Sequence, residues 1–438
     1  MIPLVSSAVM RECDAREAAR RGQQTLVEAA GVRVAHEVHR MLGTLYARRI
    51  CVLVGPGLNG ADGLVAARVL RARGSRVDVV SVARQPRELR GYDVVIDAAF
   101  GLGCTRPYVA PLLGAGVRVL AVDLPSGVDA DSGDVLGRPL RADVTLALGA
   151  LKFAHVDGDA ASYVGELRFA GLGIATPMDD GLIVDDDIDA FVKGHRDDHK
   201  WTHALSVLAG SPRMPGAAVL VCAGALSAGA SMVRLQSRGK IASLVALPVE
   251  VVRARGTEVD PRSRCVVAGP GLGNNSLAWL RERLNDTELA TVLDADALQV
   301  ETLTMVRHAP RIVTPHAGEF ERLSGAPVPS RRIDAVRELA HGTDSFVLLK
   351  GPRTIIASPD GRIRVVNSGS SALATAGTGD VLSGMIGAAI ARGHSPLEAA
   401  AWSAHLHGMA GRRLGVYETA HALASEVRGV LSSRLRGN

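Results

Sequence analysis

Residues Thr375–Ile390 read TAGTGDVLSGMIGAAI, a glycine-rich turn that leads directly into an apolar, helix-like stretch. Gly377 and Gly379 flank Thr378, and Asp380 stands at the predicted start of the helix. Glycines at these positions let consecutive backbone N–H groups point at one spot, where the helix dipole also favours an anion. Asp380 could then take the proton of a substrate hydroxyl while the amides hold a phosphoryl group in transfer. Asp380 could instead be a simple helix cap, but such dense glycine costs conformational entropy without adding packing, so we favour catalysis.

Other polar motifs upstream also follow apolar, strand-like runs. GPGLG follows CVVA, TPHAGEF follows RIV, and KGPRT follows FVLL, while LDADAL places two carboxylates at a further strand end. KGPRT combines a cation, a glycine and a hydroxyl, which suit phosphate binding. The sequence has no G-x-x-x-x-G-K-[ST] loop, so phosphoryl transfer here would not use the P-loop architecture. The residues concerned are Gly269–Gly273, Asp294, Asp296, His316, Glu319 and Lys350–Thr354.

The N-terminal half carries a second glycine motif. Gly55, Gly57 and Gly60 form G-x-G-x-x-G between a strand-like and a helix-like run, a setting that can cradle a phosphate or simply allow tight packing. No acidic residue ends the next strand, VDVVSVARQ, to hold a ribose, which argues against a nicotinamide dehydrogenase. Oxygen-bearing side chains gather at successive strand ends, where parallel sheets bind ligands, and they suit a hard cation, a hydroxyl or proton transfer. They are Asn59, Asp62, Asp97, Asp123 and Ser126.

Strand-like and helix-like runs alternate along most of the 438 residues, which predicts an α/β protein with parallel sheets. Aromatic residues make up only 3%, so aliphatic side chains must fill the cores. The acidic stretch PMDDGLIVDDDIDAF breaks the alternation, and we place a junction there between domains at 1–178 and 185–438. We predict helices from Asp14 to about Tyr46, strands at AAVLVCAG (217–224) and SLVALPV (243–249), and a β-hairpin at TIIASPDGRIRVVN (354–367).

Composition excludes several classes of protein. Hydrophobic residues make up 47%, charged residues 22%, and the net charge of +5 is not concentrated in any block, so we expect a soluble protein without nucleic-acid partners. No signal-peptide or membrane-span pattern is visible, so we expect no membrane partner and a cytoplasmic location. The five cysteines are scattered and predict neither a disulfide framework nor a zinc site. His405 and His407 lie two apart on a predicted helix and are expected to be core residues rather than a metal pair.

The motifs GPGLNGADGLVAARVL, DAAFGLG and DLPSGVDADSG resemble the epimerase domain of NAD(P)H-hydrate repair enzymes over about residues 10–175. The resemblance implies a Rossmann-like three-layer domain that interconverts the R and S epimers of hydrated NADH and NADPH (NADHX and NADPHX) beside a bound K⁺. It makes Asn59, Asp97 and Ser126 the K⁺ ligands and Asp123 the acid–base residue. The family usually has N-N-G-G-D where this chain has Leu58–Asp62, which leaves a non-catalytic binding domain as an alternative. The implied substrate-binding residues are Leu58, Asn59, Gly60, Ala61, Asp62, Gly101, Leu102, Gly103, Arg106 and Asp123.

From about Asp185 to the C-terminus, the motifs are similar to the ADP-dependent NAD(P)H-hydrate dehydratases, which have a ribokinase-like three-layer α/β/α fold. The resemblance implies that ADP, with Mg²⁺, phosphorylates the C6 hydroxyl of the hydrate and that phosphate is then eliminated, with Asp380 as the base. The glycine–serine pair of the family, here in LAGSPRMPGA, looks displaced relative to the predicted strand at 217–224. The implied hydrate-facing residues are Ala217, Gly273, His316 and Asp380, and the implied nucleotide-binding residues are Lys350, Gly351, Pro352, Arg353, Thr354, Gly377, Thr378 and Gly379.

These features together predict a bifunctional enzyme whose small-molecule substrates are NADHX, NADPHX and ADP, and which we expect to form a homo-oligomer. The main alternative is an ATP-dependent sugar or vitamin kinase, because the G-T-G-D core is shared across that fold. The fused N-terminal domain and the TPHAGEF and LDADAL motifs argue for the repair enzyme.

Overall fold

The computed structural model describes residues 1–192, 199–241, 243–285, 287–306, 308–415 and 418–437. Backbone contacts divide the chain into two compact units, Ile2–Gly181 and Leu182–Asn438, with Met1 grouped with the second. Both units combine helices with largely parallel sheets, which confirms the predicted α/β class. In the described ranges, no helix has the length and apolar character needed to cross a membrane.

The N-terminal unit is built on one six-stranded sheet. Its elements are β1 (Ile2–Pro3), α1 (Ser7–Arg21), α2 (Gln23–Leu42), β2 (Arg49–Val54), α3 (Leu58–Ala72), β3 (Arg76–Ser81), β4 (Glu88–Leu89), β5 (Val94–Ala98), β6 (Tyr108–Val109), β7 (Leu112–Leu113), β8 (Arg118–Val122), β9 (Gly137–Arg138), β10 (Val144–Leu148) and β11 (Glu166–Ala170). The strand order is β11-β10-β8-β5-β2-β3, and every pairing in it is parallel. The helices predicted near the N-terminus are confirmed as α1 and α2.

The two faces of this sheet are both buried, because alternate residues of each strand point to opposite sides. On one face, Ile50 and Val52 of β2 join α2 and α3 in a shared core. On the other face, Cys51 and Leu53 pack against residues from the segments that follow β3 and β8, such as Leu89. This double burial explains why the strands read as continuous apolar runs rather than as alternating ones.

The C-terminal unit is larger. Its elements are β12 (Gly181–Leu182), α4 (Ile188–Val192), β13 (Ala204–Leu208), α5 (Pro215–Ser227), β14 (Met232–Gln236), β15 (Val251–Arg253), β16 (Cys265–Ala268), α6 (Leu277–Leu284), β17 (Ala290–Leu293), α7 (Val300–Leu303), β18 (Arg311–Val313), α8 (Ala317–Ser324), α9 (Arg332–Thr343), β19 (Phe346–Leu349), β20 (Thr354–Ala357), β21 (Ile363–Val366), α10 (Thr378–Ala391), α11 (Pro396–Gly411) and α12 (Ala420–Gly437). The strands that lie wholly within the unit follow the order β21-β20-β19-β18-β17-β16-β13-β14-β15. The predicted hairpin is confirmed as the antiparallel pair β20–β21.

Two strand predictions in this unit are wrong. AAVLVCAG lies inside helix α5, and SLVALPV lies in a turn and irregular segment before β15. The strands that sequence reasoning missed are β13 and β14, which carry ALSVL and MVRLQ. Gly210–Ser211 therefore follows a strand, β13, directly, and the displacement inferred for this pair disappears. Helix α5 is apolar on every side, which hides the helical period and makes its sequence resemble a strand.

Candidate active sites

The C-terminal site lies where neighbouring parallel strands end. β16, β17, β18 and β19 are adjacent and parallel, so their carboxyl ends meet at one edge of the sheet. Lys350 follows β19, and its Nζ donates a 2.8 Å hydrogen bond to Oδ1 of Asp294, which follows β17. The same ammonium lies 3.9 Å from Oε2 of Glu319 on α8. Three motifs that are far apart in sequence thus share one charge cluster.

Asp380 lies beside this cluster, in the first turn of α10. Burial, together with the negative charge of Asp294, raises the pKa of Asp380 to about 7, against the opposing effect of Lys350. The Asp380 charge in turn helps to hold the pKa of Lys350 above its usual value, despite the burial of that lysine. A carboxyl group that titrates near neutral pH is well matched to general-base work.

The turn before α10 presents backbone amides next to Lys350. Gly377 has φ of +92°, in the left-handed region that favours glycine, and Gly379 follows in the first turn of the helix. A Cβ at Gly379 would lie 3.4 Å from Nζ of Lys350, so the helix start and the cation are neighbours. The Thr378 hydroxyl is occupied locally, since its one proton is shared between the carbonyl oxygens of Leu373 and Thr375, at 2.8 and 2.9 Å. The amides of the helix start are therefore the groups that can receive an anion here.

His407 supports this turn from inside the core. It is buried, and its Nε2 donates a 2.9 Å hydrogen bond to the carbonyl oxygen of Thr378. Burial lowers its pKa to about 4, so the ring is neutral near physiological pH. His405 is also buried, with Nε2 2.8 Å from Oδ1 of Asp185. Both histidines are core residues, as predicted, and in the described ranges no three His, Cys, Asp or Glu side chains are placed to share a metal ion.

The remaining predicted residues of this half surround the same edge of the sheet. His316 caps α8 through Nδ1, which accepts from Gly318 N, and its side chain stays 59% exposed. The amide of Gly273 donates to Oδ2 of Asp296 at 2.8 Å. Ala217, near the start of α5, packs against the same loop, because a Cβ at Gly271 would approach its methyl group to 2.6 Å. Residues 350–353 form the turn between β19 and β20, with Gly351 and Pro352 exposed, and Thr354 begins β20.

The N-terminal site is a cavity of about 770 Å³, a size suited to a nucleotide. It is lined by α1 and the first half of α2 and by the segments that follow β2, β5, β8, β10 and β11. Among the residues expected to bind substrate, Gly60, Ala61 and Arg106 do not line this cavity. Gly60 instead packs against the backbone, because a Cβ there would lie 2.1 Å from the carbonyl oxygen of Gly55. The predicted residues that do line it are Leu58, Asn59, Asp62, Gly101, Leu102, Gly103 and Asp123.

The three oxygen-bearing residues Asn59, Asp97 and Ser126 converge on the backbone of Phe100. The Asn59 side-chain amide donates a 3.0 Å hydrogen bond to the Phe100 carbonyl oxygen, and the Ser126 hydroxyl oxygen lies 3.0 Å from that same carbonyl oxygen. Ser126 also donates to Oδ1 of Asp97 through its hydroxyl and to Oδ2 through its backbone N–H. Asp97 is fully buried, and burial raises its pKa although these hydrogen bonds oppose the rise. In the described ranges no basic side chain pairs with Asp97, and of these three residues only Asn59 lines the cavity.

Asp123 is held by a lysine that sequence reasoning missed. Lys152 is 1% exposed and ion-pairs with Oδ1 of Asp123, and it donates further 2.9 Å hydrogen bonds to the carbonyl oxygens of Leu148 and Ala150. All three protons of the ammonium are thus used. His155 adds a 2.6 Å hydrogen bond from Nε2 to the Asp123 carbonyl oxygen. The only available signal was the pattern LGALKFAH after a predicted strand, which sets a lysine at the strand end.

A backbone feature accompanies this contact. Asp123 has φ of +63°, an uncommon conformation for a residue with a side chain. His155 Nδ1 accepts from the Lys152 backbone N–H, so Nε2 carries the proton that reaches the Asp123 carbonyl oxygen. Burial lowers the pKa of His155 to about 4, which keeps the ring neutral. The strained aspartate is therefore anchored at both its backbone and its carboxylate.

Two matches to protein families cover most of the chain. Residues 205–429 match the family described as NAD(P)H-hydrate dehydratase. Residues 23–90 and 81–154 match the family described as YjeF-related protein N-terminus. Each match falls within one of the two units.

Full-length relatives carry both halves. The bifunctional NAD(P)H-hydrate repair enzyme Nnr of Mycobacterium leprae is 36% identical, and the alignment covers 92% of either chain. The Nnr of Mycobacterium tuberculosis is 37% identical, with 86% of either chain covered. Among solved structures, the ADP/ATP-dependent NAD(P)H-hydrate dehydratase from Bacillus subtilis, crystallised with ATP and Mg²⁺, is 29% identical at a TM-score of 0.53 and covers 59% of this chain and all of that one. A ribokinase-like protein from Enterococcus faecalis, at 19% identity and a TM-score of 0.52, shares the fold of the C-terminal unit, with 59% of this chain and 98% of that one covered.

Proposed function

The chain belongs to the family of bifunctional NAD(P)H-hydrate repair enzymes, and we propose on that premise that each unit carries one of the two activities. The C-terminal unit dehydrates the S epimer of NADHX or NADPHX with ADP, and the N-terminal unit interconverts the R and S epimers. The observation that carries the proposal is the position of Asp380, in the first turn of a helix whose start presents backbone amides, next to the Lys350–Asp294 ion pair.

The position of Asp380 suits it to start the dehydration. Asp380 takes the proton of the C6 hydroxyl, whose oxygen forms a bond to the terminal phosphorus of ADP and releases AMP. The phosphate then leaves with the C6–O bonding electrons, and the adjacent ring carbon loses a proton to restore the double bond of the dihydronicotinamide. Lys350 and the amides of Gly377–Gly379 offset the charge that builds on the moving phosphoryl group. Ala217, Gly273 and His316 face the hydrate, and Gly351–Thr354 help to bind the nucleotide.

Magnesium fits this site as a companion of the nucleotide. Mg²⁺ is commonly held by one or two carboxylates together with substrate phosphates and water. The described residues offer Asp294 and Glu319 beside Lys350, and Asp296 close enough to Asp380 to raise its pKa, but no three-carboxylate cage. The ion supplies charge neutralisation of the phosphates when it is bound.

Potassium fits the oxygen cluster of the N-terminal unit. Asn59, Ser126 and the Phe100 carbonyl supply neutral oxygens, and buried Asp97 supplies the negative charge that a monovalent cation would balance. We expect epimerase activity and the thermal stability of the N-terminal unit to rise when K⁺ replaces Li⁺ at constant ionic strength. Equal activity and stability in the two salts would contradict the K⁺ site.

The decisive experiment supplies purified protein with S-hydrate, ADP and Mg²⁺ and follows the return of dihydronicotinamide absorbance. We expect wild type to convert the S epimer with ADP, Asp380→Asn to lose this conversion, and Asp123→Asn to lose only the use of the R epimer. A parallel series with ATP and hydroxylated sugars or vitamins tests the kinase alternative. Turnover of those substrates without hydrate repair would overturn the proposal. The cytoplasmic location and the homo-oligomer stay predictions, the latter testable by light scattering.

A further inference from the structure

Five charged side chains line the N-terminal cavity. Arg11 and Asp14 come from α1, Asp62 comes from α3, and Asp123 and Lys152 follow β8 and β10. Of these five side chains, only Lys152 has every one of its polar protons bonded to another group of the protein. Because its ammonium group is ion-paired with Asp123, Lys152 cannot move a proton to or from a ligand without breaking that pair.

Asp14 has the opposite character. In the described ranges its carboxyl group has no hydrogen-bond or ion-pair partner, although it is half-buried and lines the cavity. It is also the only carboxyl group in the lining that comes from α1 or α2 (the helical wall), because Asp62 comes from α3 and Asp123 follows β8. A buried carboxyl without partners costs free energy in the empty protein, which is typical of a group kept for a ligand.

The chemistry of epimerisation calls for a group in this position. An epimerase must remove the hydroxyl from one face of the ring carbon and return it to the other, so proton transfer is needed on two faces. Asp123 follows β8 and Asp14 comes from α1, so the two carboxyl groups reach the cavity from different elements. Resting on the proposed function, we propose that Asp14 is the second proton-transfer residue of the epimerase site and acts from the helical wall, opposite Asp123.

Epimerisation proceeds by loss and return of water at C6. Protonated Asp14 gives its proton to the C6 hydroxyl, the C6–O bond breaks, water departs, and the lone pair of the ring nitrogen forms a C=N bond. A water molecule on the opposite face adds to C6 and passes one proton to Asp123. The net result is inversion at C6 and a proton moved from Asp14 to Asp123, and exchange with solvent resets the pair. The reverse reaction uses the same two groups in exchanged roles.

The titration behaviour of the two free acids agrees with this assignment. Burial raises the pKa of Asp14 to about 6, with Asp123 adding to the rise and Lys152 opposing it. Burial raises the pKa of Asp62 to about 8, with Asp123 and Asp14 contributing. Asp14 can therefore gain and lose a proton near neutral pH, whereas Asp62 stays protonated and suits hydrogen bonding to substrate. Arg11 is the remaining charged group that faces the cavity.

The test measures R-to-S conversion by the full chain with pure R-hydrate and no ADP, so that the dehydratase consumes nothing. After the spontaneous rate is subtracted, we expect Asp14→Asn to have a kcat lower than that of wild type by about 100-fold or more. Its KM should change less than about threefold. Wild-type kcat/KM should decline above about pH 6, where Asp14 loses its proton, and Asp14→Asn should lack this decline. The matched control is Glu12→Gln, which removes the same charge from an exposed position on α1 and should match wild type.

The outcomes separate the two claims. If wild type fails to convert the R epimer, the proposed epimerase function falls. If wild type converts the R epimer and Asp14→Asn keeps the wild-type kcat and pH profile, only the proposed role of Asp14 is contradicted. A change in KM without a change in kcat would also contradict that role. Folding of the variant is verified by undiminished dehydration of the S epimer and by an unchanged thermal melt. Asp14→Glu, which keeps the carboxyl group, should restore part of the rate and the alkaline decline.

Discussion

At the scale of single residues, each site depends on a carboxyl group whose surroundings set its protonation. Burial and the negative charge of Asp294 raise the pKa of Asp380 to about 7, and the positive charge of Lys350 keeps this pKa from rising further. Asp123 is instead paired with a buried lysine, Lys152, whose other two protons go to backbone carbonyl oxygens. The two acid–base carboxyl groups thus have different surroundings, burial beside other carboxyl groups for Asp380 and an ion pair with a buried lysine for Asp123.

The first prediction concerns the pH dependence of dehydration. Because the ionised form of Asp380 is the base and its pKa is about 7, kcat/KM for the S-hydrate should rise about tenfold per pH unit below pH 7 and level off above it. Asp296→Asn removes a negative neighbour that raises this pKa, so the rise should move to lower pH. Rate profiles from pH 5 to 9 measure both effects, and identical curves for the two proteins would contradict the assignment.

The second prediction concerns Lys152. Lys152→Met leaves the buried Asp123 carboxylate and two carbonyl oxygens without their donor, and we expect it to lower the free energy of unfolding of the N-terminal unit by about 3–5 kcal/mol. Epimerase activity should fall with it, while S-hydrate dehydration remains. Denaturant unfolding of the variant beside the exposed-site control Lys240→Met measures the difference. Equal stability of the two variants would show that the buried pair is dispensable.

At the scale of elements, two helices of the C-terminal unit touch through glycines. A Cβ at Gly224 of α5 would lie 2.2 Å from the carbonyl oxygen of Val381, and a Cβ at Gly384 of α10 would lie 2.1 Å from that of Val221. Only glycine permits this backbone approach. The contact holds α10, whose first turn carries Asp380, against α5, whose first turn lies beside the Gly271 loop.

The third prediction tests this helix contact. Gly384→Ala should force α5 and α10 apart, with a loss of about 1–3 kcal/mol in unfolding free energy and a weaker dehydratase. The control is Gly342→Ala on the exposed face of α9, where a Cβ would meet nothing within 4 Å. That variant should be more stable by about 0.5–1 kcal/mol because alanine favours helices. Thermal melts compare the pair, and a neutral Gly384→Ala would refute the close contact.

At the scale of the whole molecule, each candidate site is built from one unit alone. The residues around Asp380 lie within Leu182–Asn438, and those around Asp123 lie within Ile2–Gly181. The family matches respect the same division. The described side chains of each site all come from one unit, so a substitution that abolishes one activity should leave the other intact.

The fourth prediction follows from this separation. Asp123→Asn and Asp380→Asn should each fail to repair R-hydrate with ADP beyond the spontaneous epimerisation rate, and an equal mixture of the two proteins should regain the repair. The reason is that the S epimer made by one protein can diffuse to the other. The return of dihydronicotinamide absorbance measures it. A mixture that stays inactive would mean that the epimer must pass between sites of one chain.

How far the sequence predicts this fold depends on how local each signal is. The strands of the N-terminal unit, the β20–β21 hairpin and the glycine turn before α10 were predictable, because apolar runs, turn residues and glycines mark them directly. Helix α5 was not, because burial on all sides removes the polar stripe by which a helix is recognised. β13 and β14 are short and were overlooked beside that longer apolar run.

The sequence alone determined the α/β class, the family resemblance and the position of Asp380 at a helix start, since each rests on neighbouring residues. Tertiary structure alone decided that Lys152 pairs with Asp123 and that Asp14 faces the same cavity, since these groups come from separate elements. It also decided which carboxyl groups titrate near neutral pH. That property depends on burial and on charges brought close in space, which the order of residues along the chain does not reveal.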